Sequence, residues 1–158
     1  MKQIARLFIP LAILFSSCGP SKSQLTNRFD ETAVPKEILN KDYVLLVSIP
    51  YNSQKWIDKF TGVMEKHYAG KFEIVPYKKS ISADYADAKK YRYILLISNS
   101  VEARQNYTPS GTVTHTNIVT SELFITDRAD KNKIYKSNLH SANVIDILAF
   151  YADKLSGN

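Results

Sequence analysis

A nearly uninterrupted apolar run at residues 42–49 constrains the fold most, because Pro50 ends it and a helical pattern follows at once. Apolar side chains on both faces are typical of a strand in the middle of a parallel sheet. From Trp56 to His67, apolar residues recur at three- and four-residue spacing, which predicts a helix with one buried face. A strand followed by such a helix predicts a right-handed crossover to a parallel strand.

The rest of the chain supplies enough elements to complete one sheet. Further strands are predicted at 72–76, 91–98, 112–127 and 134–140, and helices at 82–90 and 144–155. Turn clusters separate the last three strands, which predicts an antiparallel meander. We therefore expect an α/β (α+β) fold: a single mixed sheet of about five strands that starts β-α-β-α-β, continues as a meander and closes with a C-terminal helix.

The N-terminal residues have the order of a secretory signal peptide: a basic start, an apolar run and then small residues before Cys18, the single cysteine. A transmembrane helix is the weaker interpretation, because the run is shorter than about 20 residues and contains Pro10. The pattern resembles a bacterial lipoprotein signal, with Phe15 where that family usually has Leu. The resemblance implies a signal peptide at 1–17 and a lipidated Cys18. The polar composition that follows predicts a flexible tether, so that the lipidated cysteine and tether span 18–40, and the length of the remainder suits a single globular α/β domain at 41–158.

Lipidation would hold the protein on a membrane through Cys18 without a spanning segment, provided that two or more acyl chains are attached. In Bacteroidetes-type lipoproteins, an acidic stretch after the cysteine resembles a surface-export tag. No acidic cluster follows Cys18, so this resemblance favours the periplasmic face over the cell surface. We expect a cell-envelope protein, lipid-anchored in the outer membrane and facing the periplasm.

The charge of the chain excludes few functions, but it argues against nucleic-acid binding. Loss of Lys2 and Arg6 with the signal peptide leaves 19 of the 21 basic residues against 15 acidic ones, so the net charge falls from +6 to +4. The charges are spread along the chain and form no nucleic-acid-binding motif. A weakly basic face suits anionic lipid headgroups or an acidic partner.

The order of the predicted elements resembles a class of small periplasmic domains. It includes the amino-terminal domain of the Tol translocation β-propeller protein and domains of the curli-secretion lipoprotein family. Residues 123–127 and 133–137 resemble the hairpin of that class, except that Asn132 stands where a glycine is usual. The resemblance implies a non-catalytic module that docks other envelope proteins.

We find no pattern for catalysis, and we predict no catalytic residue, no metal and no cofactor. His67, His115 and His140 lack metal-ligand spacing, and His67 is expected to be packed and hydrogen-bonded on its helix. Neither a Gly-x-Ser-x-Gly elbow nor a glycine-rich phosphate loop is present. A metal shared by His115 and His140 across the sheet, and an enzyme of unrecognised type, remain as weaker alternatives.

Ten tyrosines are many for this length, and most are expected to pack in the core or on the sheet. The candidate ligand or partner surface consists of Tyr77, Tyr91, Tyr93, Tyr107 and Tyr135. The polar stretch at 99–120 is where we place a protein partner. The predicted function is a non-enzymatic, membrane-anchored envelope lipoprotein that binds an envelope protein as an assembly accessory. A periplasmic lipoprotein that binds a glycan, peptide or small molecule is the alternative.

Overall fold

The computed structural model describes residues 20–158, so the predicted signal peptide and Cys18 lie outside the described residues. Its strands are β1 Val44–Ile49, β2 Lys71–Pro76, β3 Tyr93–Tyr107, β4 Val113–Asp127 and β5 Lys133–Ser141. Its helices are α1 Lys22–Arg28, α2 Gln54–His67, α3 Tyr77–Ser80 and α4 Val144–Leu155, with 3₁₀ turns at Glu31–Ala33 and Ala83–Tyr85. The strands form one sheet in the order β2-β1-β3-β4-β5, parallel at β1 and antiparallel from β3 onward. The predicted fold class is confirmed.

The interior strand β1 separates two layers, as its apolar run predicts. Leu45, Val47 and Ile49 face the main core, which α2 and α4 cover. Leu46 lies on the other face, in a smaller cluster with Val75. Burial on both faces of β1 explains why its sequence shows no polar alternation.

The helix layer is fixed by large side chains that leave no exposed surface. Phe60 and Met64 of α2 and Ile147 of α4 are fully buried, and so is Tyr151. The Tyr151 hydroxyl donates a hydrogen bond of 2.8 Å to the carbonyl of Ala33, and burial raises the pKa of this phenol. The segment before β1 is therefore tied to the C-terminal helix.

The prediction of a flexible tether at 18–40 is wrong for the described part of that segment. Leu25, Ala33 and Ile38 are buried in the main core, and Phe29 packs edge-to-face against helix α4. The Tyr68 hydroxyl donates to the carbonyl of Ile38, and burial raises the pKa of Tyr68 to about 12. A few well-placed apolar residues anchor a segment whose average composition is polar.

The predicted helix at 82–90 is also corrected, because α3 ends at Ser80 and the segment itself contains only the 3₁₀ turn Ala83–Tyr85. The carboxylate of Asp87 accepts hydrogen bonds from the N–H groups of Lys89 and Lys90, which holds a turn in place of a helix. Tyr85 and Tyr91 then cover the second face of the sheet, and both hydroxyls donate to the carboxylate of Glu73.

The turn between β4 and β5 accommodates Asn132 where the resembling class has glycine. Lys131 and Asn132 have φ angles of 49° and 59°, and the N–H of Lys133 donates to the carbonyl of Asp130 at 2.8 Å. These two residues are the central pair of a tight turn at the end of the five-residue connection 128–132, and Asn is favoured where φ is positive.

Candidate functional site

Strands β3 and β4 extend well beyond the sheet that they belong to. β1 pairs with β3 at residues 94–96, and β5 pairs with β4 from Ser121 onward, whereas β3 and β4 stay paired as far as Tyr107 and Val113. We call residues 99–120 the ribbon. Its strands run for about nine residues, so it projects about 30 Å from the sheet. The sequence pattern predicted the strand that corresponds to β3 only at 91–98.

Almost the whole ribbon is exposed on both faces, and only Ile118 and Thr120 are half-buried. The ribbon therefore contributes almost nothing to the core, although it contains about a seventh of the chain. A two-stranded hairpin without a packed face is marginally stable by itself, which makes a projection of this length costly to keep unless it contacts something else.

The tip of the ribbon is a three-residue loop closed by threonines. The N–H of Thr108 donates to the carbonyl of Thr112 at 3.0 Å, and the N–H of Thr112 donates to the Thr108 hydroxyl at 3.1 Å. Gly111 has a φ of +80°, the left-handed conformation that a three-residue hairpin loop requires before its second strand. The loop chemistry thus fixes the register of the entire ribbon.

One face of the ribbon carries two apolar cross-strand pairs, which we call the apolar stripe and which the pairs Ala103–Asn117 and Gln105–His115 separate. Val101 lies opposite Val119, and Tyr107 lies opposite Val113. Their exposed fractions are 64%, 46%, 72% and 43%, respectively. In the main part of the sheet, α2 and α4 cover this same face. The stripe therefore extends the helix-covered face of the sheet beyond the helices. Sequence reasoning missed its valines, although their alternation with polar residues was visible.

The ribbon has two charged residues, Glu102 and Arg104, and both lie on β3. Arg104 Nε lies 3.3 Å from Glu102 Oε1, and the side chains are 58% and 62% exposed. An exposed pair of this kind contributes little to stability. The ribbon part of β4 has no Asp, Glu, Lys or Arg.

Both long edges of the ribbon are free within the described part of the chain. At one end of the β3–β4 ladder the N–H of Arg128 donates to Arg92, and at the other Thr108 donates to Thr112. Even-numbered residues of β3 therefore direct their N–H and C=O groups at β4, because these groups alternate along an antiparallel strand. Odd-numbered residues from Asn99 to Tyr107 direct theirs outward, and the odd-numbered residues of β4 do so on the opposite edge.

The candidate tyrosines do not form one surface. Tyr107 lies on the ribbon, Tyr77 is exposed on the second face of the sheet, and Tyr91 is buried beside Glu73. Tyr93 and Tyr135 do meet, in a groove of about 550 Å³ between the N-terminal segment and β5. The groove is lined by Glu31, Lys36, Glu37, Arg92, Lys133 and the two tyrosines, among others.

The guanidinium group in this groove already forms ion pairs within the protein. Arg92 donates to both carboxylate oxygens of Asp127, at 3.0 and 2.9 Å, and also pairs with Glu37. Burial alone would raise the pKa of Asp127, but hydrogen bonds from Arg92 and from the N–H of Ala129 bring this pKa below its usual value. Arg92 therefore stabilises the fold and is not free to bind a ligand. Sequence reasoning missed this cluster, for which the one signal was Asp127 at a strand end.

The histidines are separated from one another. His67 Nδ1 lies 2.9 Å from Asp153 Oδ1 and joins α2 to α4, as expected for a packed, hydrogen-bonded residue. His115 lies on the ribbon and His140 pairs with Glu122. Along β4, His115 and the residue that pairs with His140 are seven residues, or about 23 Å, apart, so the two histidines do not share a ligand. Among residues 20–158, no group of three side chains could hold a metal ion.

Comparison with known proteins adds no relative. No family model, curated protein or solved structure matches the chain. The resemblance to the periplasmic class stays a prediction. In the part of the chain that the structure describes, no helix is long and apolar enough to cross a membrane.

Proposed function

We propose that this protein is a non-enzymatic lipoprotein of the cell envelope that binds another envelope protein through its ribbon. One observation carries the proposal: the ribbon is exposed on both faces, has free backbone edges and adds almost nothing to the core. An exposed edge of this length is a template for pairing with another chain.

The β4 edge is the better edge for a foreign strand. The outward N–H and C=O groups of Val113, His115, Asn117 and Val119 can pair with an extended segment, as in β-strand addition. This stretch is free of charged side chains, so it imposes no electrostatic condition on the partner. The apolar stripe favours a partner segment that has apolar residues on this face at the two positions beside Val113 and Val119.

Membrane attachment is the part of the proposal that rests on the sequence alone. Lipidation of Cys18 would anchor the protein in the outer membrane, facing the periplasm. Helix α1 begins at Lys22 and its segment packs on the domain, which leaves three residues between the lipidated cysteine and the helix. The domain would therefore lie close to the membrane surface, and the ribbon would be the part that projects from it toward a partner.

Shortening the ribbon tests the proposal. Replacing residues 101–119 by Asn-Gly joins Ser100 to Thr120, a hydrogen-bonded pair that suits a two-residue turn. We expect this variant to fold and to reach the membrane, but to lose the envelope protein that crosslinks to the full-length tagged protein in cells. The matched control is Tyr77→Ala, which alters an exposed aromatic residue on the other face and should retain the partner.

The location has a test of its own. A Cys18→Ser variant should leave the membrane fraction, whereas the variant with the shortened ribbon should remain in it. A folded variant with the shortened ribbon that still captures the partner would refute the proposed role of the ribbon.

A second candidate function is the binding of a small ligand in the Arg92 groove. It is favoured by the meeting of Tyr93 and Tyr135 in a groove whose volume is ordinary for a ligand site. Tyr93 is only 2% exposed, however, so Tyr135 and the lysines would make most contacts. A screen of glycans and peptides by thermal shift tests this function. A ligand of the groove should raise the unfolding temperature of the native protein but not that of Tyr135→Ala.

A further inference from the structure

We infer that the β3 edge of the ribbon pairs with the same edge of a second copy of this chain, in antiparallel orientation about a two-fold axis at Ala103. The inference concerns the edge opposite to the one proposed for the partner protein. It rests on the direction of the backbone groups and on the position of the two charges.

Backbone geometry limits the registers that are available. Odd-numbered residues from Asn99 to Tyr107 direct their N–H and C=O groups outward, so odd-numbered residues must lie opposite odd-numbered residues of the second copy. The axis must therefore pass through a residue and not between two residues. With the axis at Ala103, each of these five residues can donate one hydrogen bond and accept one.

Charge selects one of these registers. With the axis at Ala103, Glu102 lies opposite Arg104 of the second copy, and Arg104 lies opposite its Glu102. Moving the axis to Glu102 or to Arg104 would place like charges directly opposite each other, which is destabilising. Both charged residues occupy positions whose backbone groups point at β4, where facing side chains of the new strand pair would lie closest.

Because the β3 edge of the ribbon is complementary to itself, its pairing partner is a second copy of this chain. The two charged residues of the ribbon are spaced so that a two-fold axis pairs each with its opposite. The β4 edge has no charge and so selects no register. Pairing about Ala103 also keeps the two apolar stripes on the same side, where they form one surface, and it leaves both β4 edges free for the partner protein.

Cysteine crosslinking in the full-length, membrane-bound protein tests the register. At the axis, Ala103→Cys would face its own copy at about 5.5 Å between Cα atoms, within reach of a disulfide. The matched control is Asn117→Cys, because Asn117 is the cross-strand neighbour of Ala103 on the far edge. Three strand spacings, or about 14 Å, would separate its two copies. We expect the disulfide-linked dimer to form at least about tenfold faster at position 103.

A scan and a charge swap complete the test. Val101→Cys and Gln105→Cys lie off the axis and should crosslink more slowly than Ala103→Cys. In the Ala103→Cys background, Glu102→Arg should weaken pairing about tenfold through two like-charged pairs, and Glu102→Arg/Arg104→Glu should restore it. Equal crosslinking at positions 103 and 117, or no rescue by the double variant, overturns the inference.

Proline substitutions separate this inference from the proposed function. Ala103→Pro removes an outward N–H from the β3 edge, and Asn117→Pro removes one from the β4 edge, while each spares the β3–β4 ladder. Ala103→Pro should abolish self-pairing and keep the partner protein; Asn117→Pro should do the reverse. Loss of the partner in Ala103→Pro and retention of self-pairing would refute the inference and leave the proposed function standing.

Discussion

The two ends of the β3–β4 hairpin share one hydrogen-bond ladder and one register, yet only one end belongs to the core. Leu95 and Ile97 near the sheet are buried under helices, whereas Val101, on the same face and four residues further along, is 64% exposed. The ladder therefore does not define the core. What differs is the layer of helices that covers one end and not the other, and the stability of each end follows from that cover.

Substitution of one apolar residue at each end gives the largest contrast. Leu95→Ala removes a fully buried side chain and should lower the free energy of unfolding by about 2–5 kcal/mol. Val101→Ala on the ribbon should change it by less than about 0.5 kcal/mol. Urea denaturation of the purified protein measures both. Equal losses would mean that the ribbon is packed in solution.

Substitution of the charged residues at the two ends should show the same contrast, with the larger loss of stability at the end that the helices cover. Arg92→Leu leaves the buried carboxylate of Asp127 without its cation and should cost about 3 kcal/mol of unfolding free energy. Arg104→Leu removes an exposed partner of Glu102 and should cost less than about 0.5 kcal/mol in dilute solution. The comparison fails if the two variants unfold at the same urea concentration.

Acid should destabilise the end of the hairpin that the helices cover. The pKa of Asp127 lies below its ordinary value, and an unfolded Asp titrates near 3.9, so this group stabilises the fold fully above about pH 4. That contribution is lost as the pH falls through the lower pKa of the folded state. The urea midpoint should therefore drop from about pH 4 downward, and it should drop less in Asp127→Asn, which lacks the titrating carboxylate.

The smallest effect is expected at the ribbon tip. Gly111→Ala forces a side chain into a left-handed conformation with open space around it, so the cost is backbone strain of about 1 kcal/mol. Global unfolding should stay unchanged, because the tip is remote from the core. Hydrogen exchange at the amides of Thr108 and Thr112 should accelerate about fivefold. Faster exchange in the sheet as well would contradict independent behaviour of the two ends.

The fold class could be predicted because the central elements have strong local patterns. Residues 42–49 are apolar throughout and α2 has one apolar face, and both patterns depend on neighbours in sequence. The N-terminal segment could not be predicted to pack, because Leu25, Ala33 and Ile38 show neither a helical nor a strand period. Elements that are distant in sequence, above all β5 and α4, make them core residues.

The candidate site could be predicted in part. High β-propensity correctly indicated the strand that follows the turn near Pro109, and the polar composition indicated an exposed segment around this turn. Its length was not predictable, because alternating polar and apolar residues do not reveal where the neighbouring strands β1 and β5 stop. Likewise, Tyr93 and Tyr135 meet only because β4 lies between their strands, whereas the other three tyrosines fall elsewhere.

The independence of the ribbon from the core has a consequence for how this protein can evolve. Most mutations that alter a binding surface also threaten folding, because the same residues serve both purposes. Here the residues proposed to choose partners project about 30 Å from those that keep the domain folded. New specificities can therefore arise on the ribbon by single substitutions, at almost constant stability and without compensating changes elsewhere.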